Sequence, residues 1–221
     1  MKRVIIICEG ETEQEFCKTT LASYLSTKDV TIESPLIKHT HGGIVKWEKL
    51  KKQIENTLRH DINAYITLLI DYYGVRDEHE FPNWMESHKL TNKVERIKFI
   101  EKGMLDDIND DIRYRFIPYM QLHEFEALLF CDAKVIIDTI DETELIEKDE
   151  LVALIDKFPN PEMINNAKET SPSHRIKKYI LGYNKIVHGN ILAENIGIET
   201  IRQKCLHFDE WLTVLENLQK I

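Results

Sequence analysis

The sequence predicts an α/β fold in which a mainly parallel sheet is flanked by helices and followed by a helical C-terminal region. Residues 3–8 and 64–71 are apolar runs of the kind that form strands buried on both faces of a sheet. Segments with helical spacing lie between them, and this alternation is typical of parallel sheets. The pattern becomes mostly helical after Asp132. We therefore expect an α/β core at residues 1–132 and a helical region at residues 133–221 that packs on it.

Each N-terminal element is predicted from a local signal. Residues 3–8 form the first strand, and a helix follows over residues 12–26 because its first residues match the S/T-x-x-E capping box. Residues 30–38 are extended, and Pro35 places them in an edge strand or a broken strand. Two glycines within residues 41–43 predict a turn.

The later elements continue the same alternation. Apolar residues recur at helical spacing over residues 47–58, which predicts the second helix. The apolar run at residues 64–71 is the third strand. The apolar residues of the following segment, 75–91, have no regular spacing, and the segment contains Pro82, so we expect a functional or mobile loop. A third helix is expected at residues 92–109, and a fourth strand at residues 116–121 leads into a short helix or turn.

The composition limits the possible classes of protein. The chain has 221 residues, of which 43% are apolar, so it can form a sizeable core and is too apolar to be disordered. A net charge of −9 argues against broad, non-specific attraction to nucleic acid or to anionic membranes. The four cysteines are scattered without a C-x-x-C pair, which argues against a structural zinc site or a disulfide framework.

The sequence contains no sign of export or membrane insertion. The apolar stretch near the N-terminus is too short for a signal peptide, and no run approaches the roughly 20 apolar residues of a membrane span. We therefore expect a cytoplasmic protein without a membrane partner.

Acidic residues follow three of the four predicted strands. Glu9 comes directly after the first strand, Asp71 ends the third, and His123, Glu124 and Glu126 follow the fourth. Ligands of parallel sheets bind at the carboxyl ends of the strands. The predicted fold therefore brings carboxylates from three strands to one edge of the sheet.

Each of these carboxylates also has a purely structural interpretation. The glutamates within residues 9–15 could be favourable charges at a helix N-terminus, Asp71 could cap a turn, and Glu124 and Glu126 could be solvated. Together they are harder to explain, because two unit charges about 4 Å apart repel by roughly 4 kcal/mol at an effective dielectric constant of about 20. A cation, a shared proton or a basic partner must compensate this repulsion.

A hard divalent cation is the predicted partner of these carboxylates. Oxygen ligands without cysteine favour Mg²⁺ or Mn²⁺. Glu9 and Glu13 are four residues apart and can face the same ion, whereas Glu11 and Glu15 point elsewhere. Neither G-x-G-x-x-G nor G-x-x-x-x-G-K-[ST] is present, so a nucleotide-binding loop is not indicated. The apolar surroundings of the cysteines do not favour a thiol nucleophile.

Several motifs resemble those of a known family. IIICEGETE at residues 5–13 contains the E-G-x-T-E motif that opens TOPRIM-like domains, and LLIDYYG at residues 68–74 resembles their third-strand aspartate motif. With PYMQLHEFEALLF at residues 118–130, PSHR at 172–175 and YNK at 183–185, the chain is similar along nearly its whole length to an uncharacterised bacterial family of TOPRIM-like proteins. That family is related to the overcoming-lysogenization-defect (OLD) nucleases. Its members are often discussed as companions of ABC-type or AAA ATPases in phage-defence or mobile-element settings.

The resemblance implies that the core at residues 1–132 is TOPRIM-like and performs metal-dependent phosphodiester chemistry with Mg²⁺ or Mn²⁺ as the cofactor. The family's first glutamate falls on Glu9, its helix glutamate on Glu13 and its strand aspartate on Asp71. The second aspartate of the usual D-x-D motif is Tyr73 in this chain, so that ligand position has no carboxylate.

Further site residues follow from the same resemblance. Glu124 or Glu126 is expected to replace the missing metal ligand. Lys185 is expected near the scissile phosphate, with Arg175 as a phosphate clamp, although both could be ordinary surface cations. His123 is expected to be a proton shuttle or an orienting group, and a histidine satisfied in a strand-to-helix corner is an equally good interpretation.

The predicted function is a nuclease that hydrolyses DNA or RNA as an effector in a bacterial defence or mobile-element system. Its expected partners are the nucleic acid and an ABC- or AAA-type ATPase, and self-association is left open. One alternative is a catalytically degenerate TOPRIM-like regulatory or interaction subunit of such an ATPase. Another is a small-molecule phosphohydrolase or phosphotransferase, which needs the same carboxylates but no basic groove.

Overall fold

The computed structural model of the protein describes residues 1–38, 43–164 and 168–220. Four strands form one sheet within these residues: β1 (Lys2–Cys8), β2 (Val30–Glu33), β3 (Ala64–Leu69) and β4 (Phe116–Ile117). Their order is β2-β1-β3-β4, and each neighbouring pair is parallel. The predicted α/β fold with a mainly parallel sheet is therefore confirmed. Most of the turn predicted at residues 41–43 lies outside the described residues.

The two outer strands are short, and proline explains why. Pairing of β2 with β1 ends before Pro35, so β2 is an edge strand as predicted. On the other side, β4 ends at Ile117 instead of residue 121, because Pro118 cannot donate the next ladder hydrogen bond. Gln121 returns to the sheet through an isolated bridge to Asp71.

One helical segment follows β1 and begins earlier than predicted. It consists of α1 (Glu11–Phe16), a π-helical turn (Cys17–Leu21) and α2 (Ala22–Ser26). Gly10 is the N-cap and makes no side-chain hydrogen bond, so the capping box predicted at Thr12 is wrong. The chain turns into the helix directly from the strand, and this places Thr12 inside the first turn, where it is buried.

Helices from the first half of the chain cover the face of the sheet that carries Ile5 and Ile7. They are α3 (Trp47–His60), α4 (Trp84–Ser87) and α5 (Lys93–Asp107). The segment predicted as a loop contains α4, and its Phe81 and Trp84 side chains are buried in this core. These two aromatic side chains pack the segment onto the core. Its apolar residues have no regular spacing, so the sequence did not indicate this packing.

Helices from the C-terminal part of the chain pack with α1 on the opposite face, which carries Val4, Ile6 and Cys8. Trp211 Nε1 donates a hydrogen bond of 2.8 Å to Thr67 Oγ1, which joins this region to β3. The predicted helical region is present, and its separation at residue 132 stays a prediction. These helices are α6 (Ala133–Thr139), α7 (Lys148–Lys157), α8 (Pro172–Tyr179), α9 (Val187–Ile196), α10 (Ile198–Lys204) and α11 (Leu206–Glu216).

Two further properties bear on the sequence-based expectations. Cys8, Cys17, Cys131 and Cys205 are free thiols buried in the apolar core. Burial raises the pKa of Cys17 and of Cys205 well above the ordinary thiol value, which makes both poor nucleophiles. No helix in the described part of the chain is long and apolar enough to cross a lipid bilayer.

Candidate functional site

Glu9 and Asp71 lie side by side where β1 and β3 end. The two strands are neighbours and run parallel, so their carboxyl ends meet at one edge of the sheet. The backbone N–H of Asp71 donates a hydrogen bond of 2.9 Å to Glu9 Oε2. The Phe125 N–H donates a hydrogen bond of 3.0 Å to Asp71 Oδ1. Both carboxylates are therefore held by backbone groups at the predicted edge of the sheet.

Two buried glutamates and one lysine complete the arrangement. Glu13 comes from the first turn of α1, and Glu126 comes from the 3-10 helical segment Phe125–Cys131. Lys185 Nζ lies 3.3 Å from Glu13 Oε1, 3.5 Å from Glu126 Oε2 and 3.6 Å from Asp71 Oδ2. We call Glu9, Glu13, Asp71 and Glu126 the acidic cluster.

The ammonium of Lys185 does not fully satisfy these carboxylates. Charge-assisted N–H···O hydrogen bonds are about 2.7–2.9 Å long, and all three distances to Lys185 Nζ exceed that. Among the described residues, Glu13 Oε1 and Glu126 Oε2 are buried without a hydrogen-bond partner. Buried carboxylate oxygens are normally paired or bound to a metal. These two oxygens therefore mark the place where a further positive group would fit.

Burial is the main cause of the pKa shifts in the acidic cluster, and repulsion between its carboxylates adds to it. Burial raises the pKa of Glu9 to about 7, although the hydrogen bond from the Asp71 N–H lowers it in part. Burial likewise raises the pKa of Asp71 well above its usual range and raises that of Glu126. Burial lowers the pKa of Lys185, but the charge of Asp71 and the neighbouring glutamates raises it by more, so Lys185 stays a cation. One lysine does not neutralise four carboxylates, and a second cation would compensate the remaining negative charge.

Whether these residues suit a divalent metal can be judged from their chemistry and their spacing. The donors are carboxylate oxygens, which suit Mg²⁺ or Mn²⁺. The two buried oxygens without hydrogen bonds are in keeping with such a use. As the side chains lie, however, the described residues contain no group of three Asp, Glu, His or Cys at metal-binding spacing. The residues therefore fit a hard cation, but Lys185 Nζ lies where their oxygens converge.

His123 lies in a strained corner beside the acidic cluster. Its backbone has a φ of 73°, a left-handed conformation that costs energy for a residue other than glycine. The corner is fixed because Tyr73 N–H donates a hydrogen bond of 2.9 Å to the His123 carbonyl. The imidazole is buried, and its Nε2 has no hydrogen-bond partner among the described residues. Burial, and then the charge of Lys93, lowers the pKa of His123 to about 3, so the ring is neutral at pH 7.

Two other predicted site residues have partners outside the acidic cluster. Glu124 accepts hydrogen bonds of 2.9 Å from the N–H and the hydroxyl of Ser173, in the first turn of α8. The Arg175 Nε donates a hydrogen bond of 2.8 Å to the Thr170 carbonyl. The Arg175 guanidinium also lies over the Phe158 ring. Glu124 thus binds a helix N-terminus, and the phosphate-binding role of Arg175 stays a prediction.

Two residues that matter to the site were missed at the level of sequence. A Cβ atom at Gly74 would lie 3.0 Å from Glu9 Oε1, so this glycine leaves room for the Glu9 carboxylate. The buried Tyr183 hydroxyl has no hydrogen-bond partner among the described residues, and burial together with Glu126 raises the pKa of Tyr183. Both residues lie inside motifs already noted, DYYG and YNK, and that position was the available signal.

The fold and this edge define an α/β protein whose parallel strands end at a buried acidic cluster with one lysine among its carboxylates. The chain belongs to the family described as domain of unknown function DUF4276, which matches residues 8–216. It is also similar to the C-terminal region of the Burkholderia pseudomallei OLD protein, with 18% identity over 94% of this chain and 97% of that chain. The TM-score is 0.42, too low for a conclusion about the site. A comparison with curated proteins found no match.

Proposed function

We propose that the protein is a divalent-metal-dependent nuclease that hydrolyses phosphodiester bonds in nucleic acid. The observation that supports this most directly is the convergence of the acidic cluster on Lys185 at the carboxyl edge of the sheet. Carboxylate oxygens of this kind suit Mg²⁺ or Mn²⁺. An ammonium beside them suits the negative charge that develops on a phosphoryl group during hydrolysis. The motifs that resemble TOPRIM-like proteins point to the same chemistry.

The residues that would hold the ion are Glu9, Glu13 and Asp71, with Glu126 in place of the second aspartate of the D-x-D motif. When bound, such an ion lowers the pKa of a water molecule and neutralises phosphoryl oxygens. The protein prepares its ligands with backbone hydrogen bonds. Because the Phe125 N–H holds Asp71 Oδ1, the other oxygen of Asp71 is left for the cluster.

Lys185 and His123 would serve the substrate. A cationic Lys185 would release the carboxylates and contact the phosphoryl oxygens, where it stabilises their charge. The low pKa of His123 keeps its imidazole neutral and makes it a weak base, so it would orient the substrate or a water molecule as a hydrogen-bond acceptor and would not shuttle a proton. Its buried Nε2, without a partner in the described residues, supports the role of acceptor.

The biological setting of the proposal comes from the resemblance. We place the protein as an effector of a bacterial defence or mobile-element system, acting with an ABC- or AAA-type ATPase. A nuclease without restraint would harm its own cell, and a partner that controls access to the substrate would supply that restraint.

One alternative has its own support. Tyr73 replaces a metal ligand of the D-x-D motif, and Lys185 already places a positive charge among the carboxylates. Both features suit a catalytically degenerate protein that regulates or binds an ATPase. In that case neither Mg²⁺ nor Mn²⁺ would produce activity with any nucleic acid.

The test compares purified variants on plasmid DNA, single-stranded DNA and tRNA with Mn²⁺, with Mg²⁺ and with EDTA. We expect Glu9→Gln and Asp71→Asn to lose at least about 100-fold in rate, because each removes a charged ligand of the ion that would neutralise the phosphoryl oxygens. Glu11→Gln is the matched control, since Glu11 is in the same motif but exposed on α1. Its rate should be that of the wild type. Equal activity in all four proteins would show a contaminating nuclease, and no activity in any of them would favour the regulatory alternative.

A further inference from the structure

A second, positively charged site lies at the side of α3 and shares no lining residue with the acidic cluster. It is a pocket of about 510 Å³ lined by Lys38, Lys49, Lys52, Gln53 and Asn56. None of these lining residues is acidic, although the whole chain has a net charge of −9. Three ammonium groups around one concave surface, without a carboxylate among the lining residues, form a local exception to the charge of the protein.

The pocket is held together by a buried glutamine. Lys38 N–H donates a hydrogen bond of 2.8 Å to Gln53 Oε1, and Gln53 Nε2 donates one of 3.1 Å to the Leu36 carbonyl. Gln53 is buried within α3, so these bonds fix the segment that carries Lys38 against the helix. Lys49 and Lys52 are three residues apart on α3 and therefore share one face. The three lysines are thus brought together by the fold.

Within the described part of the chain, Lys38, Lys49 and Lys52 differ from their neighbours in having no carboxylate partner. Lys46 pairs with Glu80 at 2.9 Å and Lys51 pairs with Asp107 at 3.0 Å. Lys38, Lys49 and Lys52 form no ion pair with the residues that the structure describes. Like charges held close together repel, and an anionic ligand would remove that repulsion.

The pocket is at the same end of the sheet as the acidic cluster. Ile37 N–H donates a hydrogen bond of 3.0 Å to the Cys8 carbonyl, and Gly43 N–H donates one of 3.3 Å to the Glu9 carbonyl. Ile37, next to Lys38, and Gly43 therefore both pair with the backbone at the end of β1. A chain bound at the acidic cluster can continue from there towards α3.

We propose that this pocket binds phosphate groups of the nucleic-acid backbone that flank the bond to be hydrolysed. The choice of nucleic acid as ligand rests on the proposed function, whereas the affinity for phosphate rests on the three lysines. Lysine binds phosphate as a point charge, and strand-binding grooves follow the backbone with such charges. The lining residues include no aromatic side chain on which a base could stack. Among the described residues, the pocket therefore offers groups that bind the backbone and no aromatic ring that stacks on a base.

The test measures binding separately from cleavage. A fluorescein-labelled single-stranded 20-mer is titrated with each protein in EDTA, and fluorescence anisotropy gives the affinity. We expect Lys49→Glu/Lys52→Glu to weaken binding by about tenfold or more. The slope of log K against log salt should also become smaller by about 1.4, because each phosphate that a lysine no longer neutralises contributes about 0.7. Lys134→Glu/Lys157→Glu changes the net charge equally at exposed lysines elsewhere. This control should weaken binding by less than about twofold.

Several outcomes decide between the possibilities. Equal affinity of the pocket variant and the control would overturn the inference, as would unchanged binding to an oligonucleotide with uncharged methylphosphonate linkages. If the charge reversals impair folding, judged by the melting temperature, Lys49→Gln/Lys52→Gln replaces them. A wild type that binds but never cleaves would contradict the nuclease proposal and leave the pocket in place.

Discussion

Replacement of Lys185 by methionine tests the electrostatics of the site. The change keeps a long, flexible side chain and removes its charge from a position 3.3–3.6 Å from three carboxylates. At an effective dielectric constant of about 20, each of these contacts is worth about 4–5 kcal/mol before desolvation is counted. The net effect is much smaller, because 38% of the side chain is exposed and solvent screens it. Since removing one partner of a buried ion pair costs about 3–5 kcal/mol, we expect a loss of about 2–3 kcal/mol.

The assay is urea unfolding at pH 7.5 in EDTA, so that no metal can replace the lost charge. Lys177→Met is the matched control, because Lys177 is an exposed lysine of α8. The free energy of unfolding of that variant should lie within about 0.5 kcal/mol of the wild type. The double variant Lys185→Met/Glu126→Gln removes one negative charge as well. It should recover at least about 1 kcal/mol, since groups in contact do not act additively.

Two results would refute this reasoning. A free energy of unfolding for Lys185→Met equal to that of Lys177→Met would mean that the carboxylates do not depend on the ammonium. Additive effects of Lys185→Met and Glu126→Gln would mean that the two groups do not interact in solution.

Two further predictions concern the surrounding fold. His207 Nε2 lies 2.9 Å from Glu101 Oε1; burial lowers the pKa of His207, but Glu101 raises it by more, so the net shift is upward. The pair therefore stabilises the protein below the unfolded pKa of about 6.5, and this contribution is lost as the pH rises through the folded pKa. Urea unfolding measures this contribution, with His60→Gln as the control. Compared with that control, His207→Gln should lower the free energy of unfolding by about 1 kcal/mol more at pH 6 than at pH 8. Equal losses at the two pH values would contradict the assignment. Gly103→Ala should lower the free energy of unfolding by about 1–3 kcal/mol, because the added Cβ would lie 2.9 Å from Pro82 Cβ. This crowding outweighs the preference of helices for alanine over glycine, which is about 1 kcal/mol. If Gly103→Ala is more stable than the wild type, Pro82 must shift to make room for the added methyl group.

The parts of the site that the sequence predicted depend on local rules. Glu9 and Asp71 each follow an apolar run, and neighbouring parallel strands end at one edge, so their proximity could be expected from the pattern. Glu13 could be expected beside them because it lies in the first turn of the helix that follows β1, four residues after Glu9.

The remaining parts depend on contacts between distant segments. Lys185 meets Glu13 across 172 residues of chain, and no periodicity connects the two, so it was expected only through the resemblance. Glu124 and Glu126 look equivalent in the sequence, but the 3-10 segment turns Glu126 into the cluster and leaves Glu124 to α8. In the sequence, Lys49 and Lys52 look like part of a solvated helix face. Only the structure shows that the hydrogen bond between Lys38 and Gln53 places Lys38 beside them.

Thermal unfolding in the presence of Mn²⁺ tests the central claim, that the acidic cluster binds a divalent cation, most directly. A ligand at 100 times its Kd stabilises the folded state by about 2.7 kcal/mol, which raises the melting temperature of a chain of this size by about 5–10 °C. We predict that rise for the wild type and for Glu11→Gln, and its absence in Glu9→Gln and Asp71→Asn. An unchanged melting temperature of the wild type, or an equal rise in Asp71→Asn, would contradict the claim.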